Sequence, residues 1–97
     1  MATVVIIPAS GQKDARGTIG MWFKSEGETV AKGEPLCTVE TEKASVEIEA
    51  PSSGVLRRIL VPRDTEVAVG DWIAIIGGAG EDIRSLEEEF AARQGKG

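Results

Sequence analysis

The sequence predicts an all-β domain, a flattened barrel or sandwich with pseudo-two-fold symmetry. Three observations predict it. The chain repeats itself; short apolar runs alternate with turn-forming clusters; and the apolar residues are mainly Val, Ile, Leu and Ala, with 12 Gly and 4 Pro among 97 residues. That length supports one compact core and is too short for two.

The repeat is read by offsetting residues 17–39 against residues 54–76 by 37 positions. Gly17 then meets Gly54, Ile19 Leu56, Trp22 Ile59, Phe23 Leu60, Val30 Val67, Ala31 Ala68, Gly33 Gly70, Leu36 Ile73 and Val39 Ile76. The order of glycine, apolar strand, turn, Val-Ala-x-Gly and apolar strand is kept throughout, as an internal duplication requires. Upstream, Thr3-Val4-Val5-Ile6-Ile7-Pro8 lies over Val46-Glu47-Ile48-Glu49-Ala50-Pro51 at an offset of 43, because the first half carries a longer loop between Pro8 and Gly17. Each half holds about four short strands. Alone, neither can bury an apolar face, but face to face they make a closed core.

Taken in order, the strands are bounded by turns at Glu26-Gly27, Lys32-Gly33-Glu34-Pro35, Pro51-Ser52-Ser53-Gly54, Pro62-Arg63-Asp64 and Gly70-Asp71. Val46, Ile48 and Ala50 alternate with Glu47 and Glu49, so one face of that strand is apolar and the other charged. The runs Leu36 to Val39 and Ile73 to Ile76 break strict alternation, which points to a bulge or bend. The folded unit is expected over residues 1–78. Residues 79–97 form a glycine hinge and an acidic tail or linker, in which Ile83, Leu86 and Phe90 share one face of a short or nascent helix.

Composition removes most function classes. Eleven basic residues against 16 acidic ones give a formal charge of −5, which disfavours a nucleic-acid partner. Arg57, Arg58 and Arg63 are the densest basic group and read as solvated surface. Histidine is absent, so no Ser-His or Cys-His nucleophile pair and no His-containing metal site can form, and neither catalytic nor metal-ligating residues are assigned. The single cysteine, Cys37, reads as a small buried side chain in a reducing compartment. No run is long enough for a membrane span, and the N-terminus of this chain lacks a basic region followed by an apolar stretch of signal-peptide type. A soluble protein is expected, cytoplasmic in a bacterium or in the mitochondrial matrix of a eukaryote.

The junction between the halves, Glu40-Thr41-Glu42-Lys43-Ala44-Ser45, has strand signals on both sides, which puts Glu42-Lys43 at a hairpin tip. Its chemistry suits a turn without positive φ better than a type I′ turn. By position alone such a lysine is an ordinary solvated charge. A modifying enzyme that must select one lysine, however, needs it on a defined protrusion with a long flexible stem, and a hairpin tip on a rigid barrel supplies both.

Here the sequence resembles a known family. ETEKASVEIEAP, preceded by GTIGMWFKSEGETVAKGEPLCTV and followed by GVLRRILVPRDTEVAVGDWIAII, is similar to the lipoyl domains of acyltransferase components of 2-oxo acid dehydrogenase complexes over about residues 3–77. Lipoyl domains carry an acidic residue and then Lys-Ala at the tip, whereas biotinyl domains have methionine on both sides of the lysine; Glu42 and Ala44 match the former. The resemblance implies a barrel-sandwich hybrid of two four-stranded antiparallel sheets, with lipoic acid in amide linkage on Lys43. It implies a non-catalytic swinging arm that shuttles acyl groups and reducing equivalents. Its partners would be a thiamine-diphosphate-dependent 2-oxo acid decarboxylase, an acyltransferase core, a dihydrolipoyl dehydrogenase and a lipoate-attaching enzyme.

In the family the first loop helps the decarboxylase recognise its carrier, with an acidic residue before the glycine and a methionine two residues earlier. Arg16 and Asp14 stand at those positions. Arg16, Asp14, Glu40 and Glu47 are therefore the expected partner-recognition residues, and the loaded tip is expected to be acidic and to dock on basic surfaces. The alternatives are a biotinyl carrier, the lipoyl carrier of glycine cleavage, and an unmodified adaptor or assembly module.

Overall fold

The computed structural model describes residues 2–8, 16–42 and 44–94. Eight strands and one helix follow in order: β1 Thr3–Ile6, β2 Arg16–Trp22, β3 Thr29–Val30, β4 Pro35–Glu40, β5 Ser45–Glu49, β6 Gly54–Ile59, β7 Glu66–Ala68, β8 Trp72–Gly77 and α1 Arg84–Gln94. They build two four-stranded antiparallel sheets, ordered β1-β8-β6-β3 and β5-β4-β2-β7. Replacing each strand of the first half by its twin in the second converts one order into the other. The predicted all-β sandwich of two such sheets, with a short C-terminal helix, is the architecture found.

The symmetry extends to single hydrogen bonds. Gly33 N donates to Ala50 O at 2.9 Å, and its twin Gly70 N donates to Ile7 O at 2.9 Å. Ile19 N donates to Thr65 O and Leu56 N to Glu28 O, each stitching a strand of one half to the turn that precedes its sheet neighbour in the other half. In the Val-Ala-x-Gly turns the next residue is acidic: Ala31 N donates to Glu34 Oε1 and Ala68 N to Asp71 Oδ2, both at 2.9 Å. These carboxylates fix the turns whose glycines, Gly33 and Gly70, adopt φ of 88° and 92°.

The expected bulges are present, and they too are twinned. Pairing of β4 with β5 skips Leu36, and pairing of β1 with β8 skips Ile73. An extra residue on one strand turns two consecutive side chains inward, so Leu36 and Cys37 are both fully buried, as are Ile73 and Ala74. Leu36, Ile73, Ile19, Leu56, Val30, Val67 and Ile76 fill the space between the sheets, with Trp22 and Ile59 packed at its margin. No side chain in the described core is buried polar or charged. Val46 departs from the expected apolar face: it stays 40% exposed although Ile48 and Ala50 are buried.

The tail packs back on the first sheet. Arg57 Nη1 donates to the carbonyls of Gly78 and Glu81 at 2.5 and 2.7 Å, and Glu81 Oε1 accepts the Gly78 N–H, so the glycine segment is clamped. Asp82 Oδ1 accepts from Arg84 N at 3.0 Å at the start of α1, which satisfies a backbone donor that the helix leaves orphaned. Arg58 pairs with Glu87 at 3.1 Å, Arg93 stacks over Trp72 at 4.2 Å, and Phe90 packs against the core. Arg57 and Arg58, expected to be solvated surface, thus hold the tail; Arg63 is exposed.

Candidate functional site

Strands β4 and β5 form a ribbon whose register, Val39↔Val46 and Glu40↔Ser45, ends at the junction between the halves. Beyond it Thr41 N donates to Ala44 O at 2.8 Å, Thr41 Oγ1 donates to the same carbonyl at 2.8 Å, and Ala44 N lies 3.1 Å from Thr41 Oγ1. The threonine side chain therefore reinforces the pairing at the foot of the turn, a role suited to a hydroxyl that both donates and accepts. In sequence the connection is Glu42-Lys43. Glu42 and Ala44 are exposed, whereas Lys43 and Asp14 lie outside the described residues, and the turn type with them.

The root of the ribbon is held by close packing. Gly17 on β2 crosses β4 so tightly that a methyl group there would lie 2.5 Å from Val39 Cγ1 and 2.8 Å from the Glu40 carbonyl oxygen. Gly20 leaves room for Thr38 Oγ1 and for Glu40 Oε2. Ser45 Oγ donates to Glu40 Oε2 at 3.0 Å, Thr38 Oγ1 lies 3.4 Å from the same oxygen, and Met21 N donates to Thr38 Oγ1 at 3.1 Å. Glu40, expected at a partner surface, is exposed but fixed by its own sheet.

The other expected recognition residues among those described, Glu47 and Arg16, stand on β5 and β2 of the same sheet. Glu47 is exposed on the outer face of β5, opposite Thr38. Arg16 is exposed at the start of β2, opposite Ala68, and borders an apolar groove with Gly17, Val39, Thr41, Val46 and Val69 at the foot of the hairpin. Cys37 is inaccessible, and burial pushes its thiol up to about 12, so it stays protonated and unreactive. Among the described residues no group of three or more Asp, Glu or Cys side chains is arranged to hold a metal ion. Nor is any helix there long and apolar enough to cross a membrane.

Comparison with known proteins completes the assignment. The profile of the biotin/lipoyl family, described as biotin-requiring enzyme, matches residues 3–76. The acetyltransferase component of the pyruvate dehydrogenase complex of Corynebacterium glutamicum is 46% identical over 81 residues, covering 84% of this chain and 12% of that protein. The acetyltransferase component of the acetoin cleaving system of Bacillus subtilis is 39% identical over 92 residues, covering 95% of this chain and 22% of that one. The chain thus spans less than a quarter of the length of these relatives. Among solved structures, the lipoyl domain of the 2-oxoglutarate dehydrogenase complex of Azotobacter vinelandii superposes with a TM-score of 0.60 at 28% identity, over 78% of this chain and 99% of that domain. The twinned sheets, the hairpin at the junction of the halves and these matches place the chain in the biotin/lipoyl attachment family, as a lipoyl domain of the kind carried by acyltransferase components of 2-oxo acid dehydrogenase complexes.

Proposed function

We propose that the domain is a covalent carrier whose Lys43 takes a lipoyl group in amide linkage, with Glu42 and Ala44 as the flanking residues that a lipoate-attaching enzyme reads. One observation carries this reading: β4 and β5 run out into a short connection closed by Thr41 and Ala44, and the residues on either side of Lys43 are exposed. A lipoyl group there would supply a dithiolane able to accept an acyl group together with two electrons. The chain's own part is mechanical. Rigid strands fix the root of the hairpin, the Gly17 crossing sets its direction, and the lysine stem supplies reach, so that visits to successive active sites become tethered encounters at high effective concentration.

The catalytic chemistry belongs to partner proteins. The relatives are named as acetyltransferase components of a pyruvate dehydrogenase complex and an acetoin cleaving system, and by the family resemblance the partners would be a 2-oxo acid decarboxylase, an acyltransferase core and a dihydrolipoyl dehydrogenase, in the bacterial cytoplasm if the parent assembly is bacterial. Residues 1–78 constitute the carrier, and 79–97 a tail that braces it through Arg57 and Arg58. Asp14, Arg16, Glu40 and Glu47 are proposed to select among partners.

The test is loading. The chain is incubated with lipoate, ATP and a lipoate ligase, or with biotin, ATP and a biotin ligase, then weighed intact and mapped by peptides. A single lipoyl adduct on the peptide containing Lys43 is expected. Lys43→Arg should take no adduct while its stability stays within about 0.5 kcal/mol of the parent, since an exposed turn contributes little packing. Preferential biotinylation, an adduct on another lysine, or none would overturn the proposal.

A further inference from the structure

The duplication allows the two outer faces of the sandwich to be compared position by position. On the sheet β1-β8-β6-β3 the outer face carries Ile75, Trp72, Val4 and Arg58 and is covered in part by the tail, with Ile6 left 48% exposed at its edge. Ile75 lies directly across from Arg58 and Val4, on the face where Arg58 pairs with Glu87 of α1, and it is 0% exposed. It is absent from the cluster between the sheets, which contains its neighbours Ala74 and Ile76. The tail therefore buries it from outside, with Arg93 over Trp72 at the far end of the same face.

The twin face, on β5-β4-β2-β7, has no covering element among the described residues. The twins of Arg58 and Leu60 are Met21 and Phe23, which remain 52% and 45% exposed. The twin of Ile75 is Thr38, and the twins of Val4 and Ile6 are Glu47 and Glu49. Glu47 lies opposite Thr38, Glu49 opposite Pro35, and both Glu40 and Glu66 lie opposite Thr18, so four exposed carboxylates rim this face. Among the described residues the bases near it are Arg16, at one end, and Lys24, whose ammonium is held by Glu34 at 3.1 Å.

We infer that this outer face, centred on Met21 and Phe23 and rimmed by Glu40, Glu47, Glu49 and Glu66, is a docking surface for an amphipathic helix of a partner protein bearing an apolar stripe flanked by Lys or Arg. Two observations select that occupant. The molecule already seats a helix on the pseudo-symmetric surface, so the curvature of this sheet accepts one. The charge of the open face calls for a cationic counterpart, whereas α1, which carries Glu87, Glu88 and Glu89, covers the face that presents Arg57 and Arg58. A second copy of α1 would bring its acidic run against four carboxylates.

The inference does not require Lys43 to be modified, and adduct mass reports on the carrier reading separately. The isotope-labelled chain is titrated with a stapled helical peptide of residues 82–94 carrying Glu87→Lys, Glu88→Lys and Glu89→Lys, and with the same peptide unsubstituted. The substituted peptide should shift the amides of Met21, Phe23, Thr38 and Glu47, bind at least tenfold tighter than the unsubstituted one, and weaken at least fivefold between 50 and 500 mM salt. Met21→Ser with Phe23→Ser should reduce binding at least tenfold. Glu47→Lys with Glu49→Lys, which leaves the apolar centre intact, should reverse the preference between peptides. Shifts confined to Trp72 and Ile75, shifts around the groove near Val69, equal binding of both peptides, no shifts up to millimolar peptide, or sedimentation showing a dimer would each overturn it.

Discussion

Replacing Gly17 with alanine tests whether the crossing of β2 over β4 fixes the root of the hairpin. The added methyl would lie 2.5 Å from Val39 Cγ1, an atom of the packed interior, and 2.8 Å from the backbone oxygen of Glu40. The carbonyl oxygen cannot move without shifting β4, and Val39 is packed in the core, so the cost belongs with overpacking, about 1–3 kcal/mol. Alanine recovers about 0.4–1 kcal/mol by restricting the unfolded chain, which leaves a net loss of about 1–2 kcal/mol. With a urea dependence of about 1 kcal/mol/M for a domain of this size, the unfolding midpoint should fall by about 1–2 M. Gly20→Ala is the internal control. Its methyl meets Thr38 Oγ1 and, at 2.7 Å, Glu40 Oε2, side-chain atoms with no backbone among them, so relief costs the Met21 N–H bond to Thr38, about 1 kcal/mol, and no shift of β4. Urea titrations followed by tryptophan fluorescence measure both. A Gly17→Ala midpoint at the parent value, or a larger loss from Gly20→Ala, would refute the close-crossing argument.

Cys37 should resist iodoacetamide in the native protein at pH 8 and react fully in 6 M guanidinium, because its burial keeps the thiol protonated; rapid native alkylation, read by mass, would contradict that. Glu81 and Asp82 flank the start of α1, and both carboxyls are held below their ordinary values, Glu81 first by the Gly78 N–H and Asp82 first by the Arg84 side chain. A depressed folded pKa contributes stability that is present above the unfolded value and lost as pH falls through the folded one. Docking of α1 should thus be independent of pH down to the ordinary glutamate value of 4.5 and loosen below it, as seen in the amide signals of Glu87 to Phe90. Asp64 adopts φ of 71° where its twin Gly27 has φ of 94°. Asp64→Gly should therefore leave stability unchanged or raise it by up to about 0.5 kcal/mol, and Gly27→Ala should lower it by about 1 kcal/mol, both by chemical denaturation.

Much of the fold was legible because it is written twice. Gly17 with Gly54, Leu36 with Ile73 and Val39 with Ile76 predicted strand positions, and broken alternation at Leu36 to Val39 predicted the bulge that the register contains. The placement of Glu42 between strand signals likewise anticipated the hairpin. What sequence could not supply was contact between distant segments. Nothing local to Arg57 foretells that its guanidinium will reach the Gly78 and Glu81 carbonyls, or that Arg58 will find Glu87. Val46 alternates like a buried residue, yet it stands near the end of its strand, where the facing sheet no longer covers it. The open outer face was readable in principle, since Thr38 against Ile75 and Glu47 against Val4 are visible at the two repeat offsets. Its meaning required knowing that the tail covers one twin.

The first strand of the domain pairs with its last: β1 lies against β8, and β3 against β6. Each half thus lends two strands to the other's sheet, so an emerging polypeptide holds neither sheet complete until β7, residues 66–68, has left the ribosome, and not both until residues 72–77 have. Ordering is then gated by long chain closures, which places folding in the slow, millisecond-to-second regime typical of non-local β topologies. An attaching enzyme that reads the hairpin on its finished sheet would therefore act only after β7 has docked beside β2.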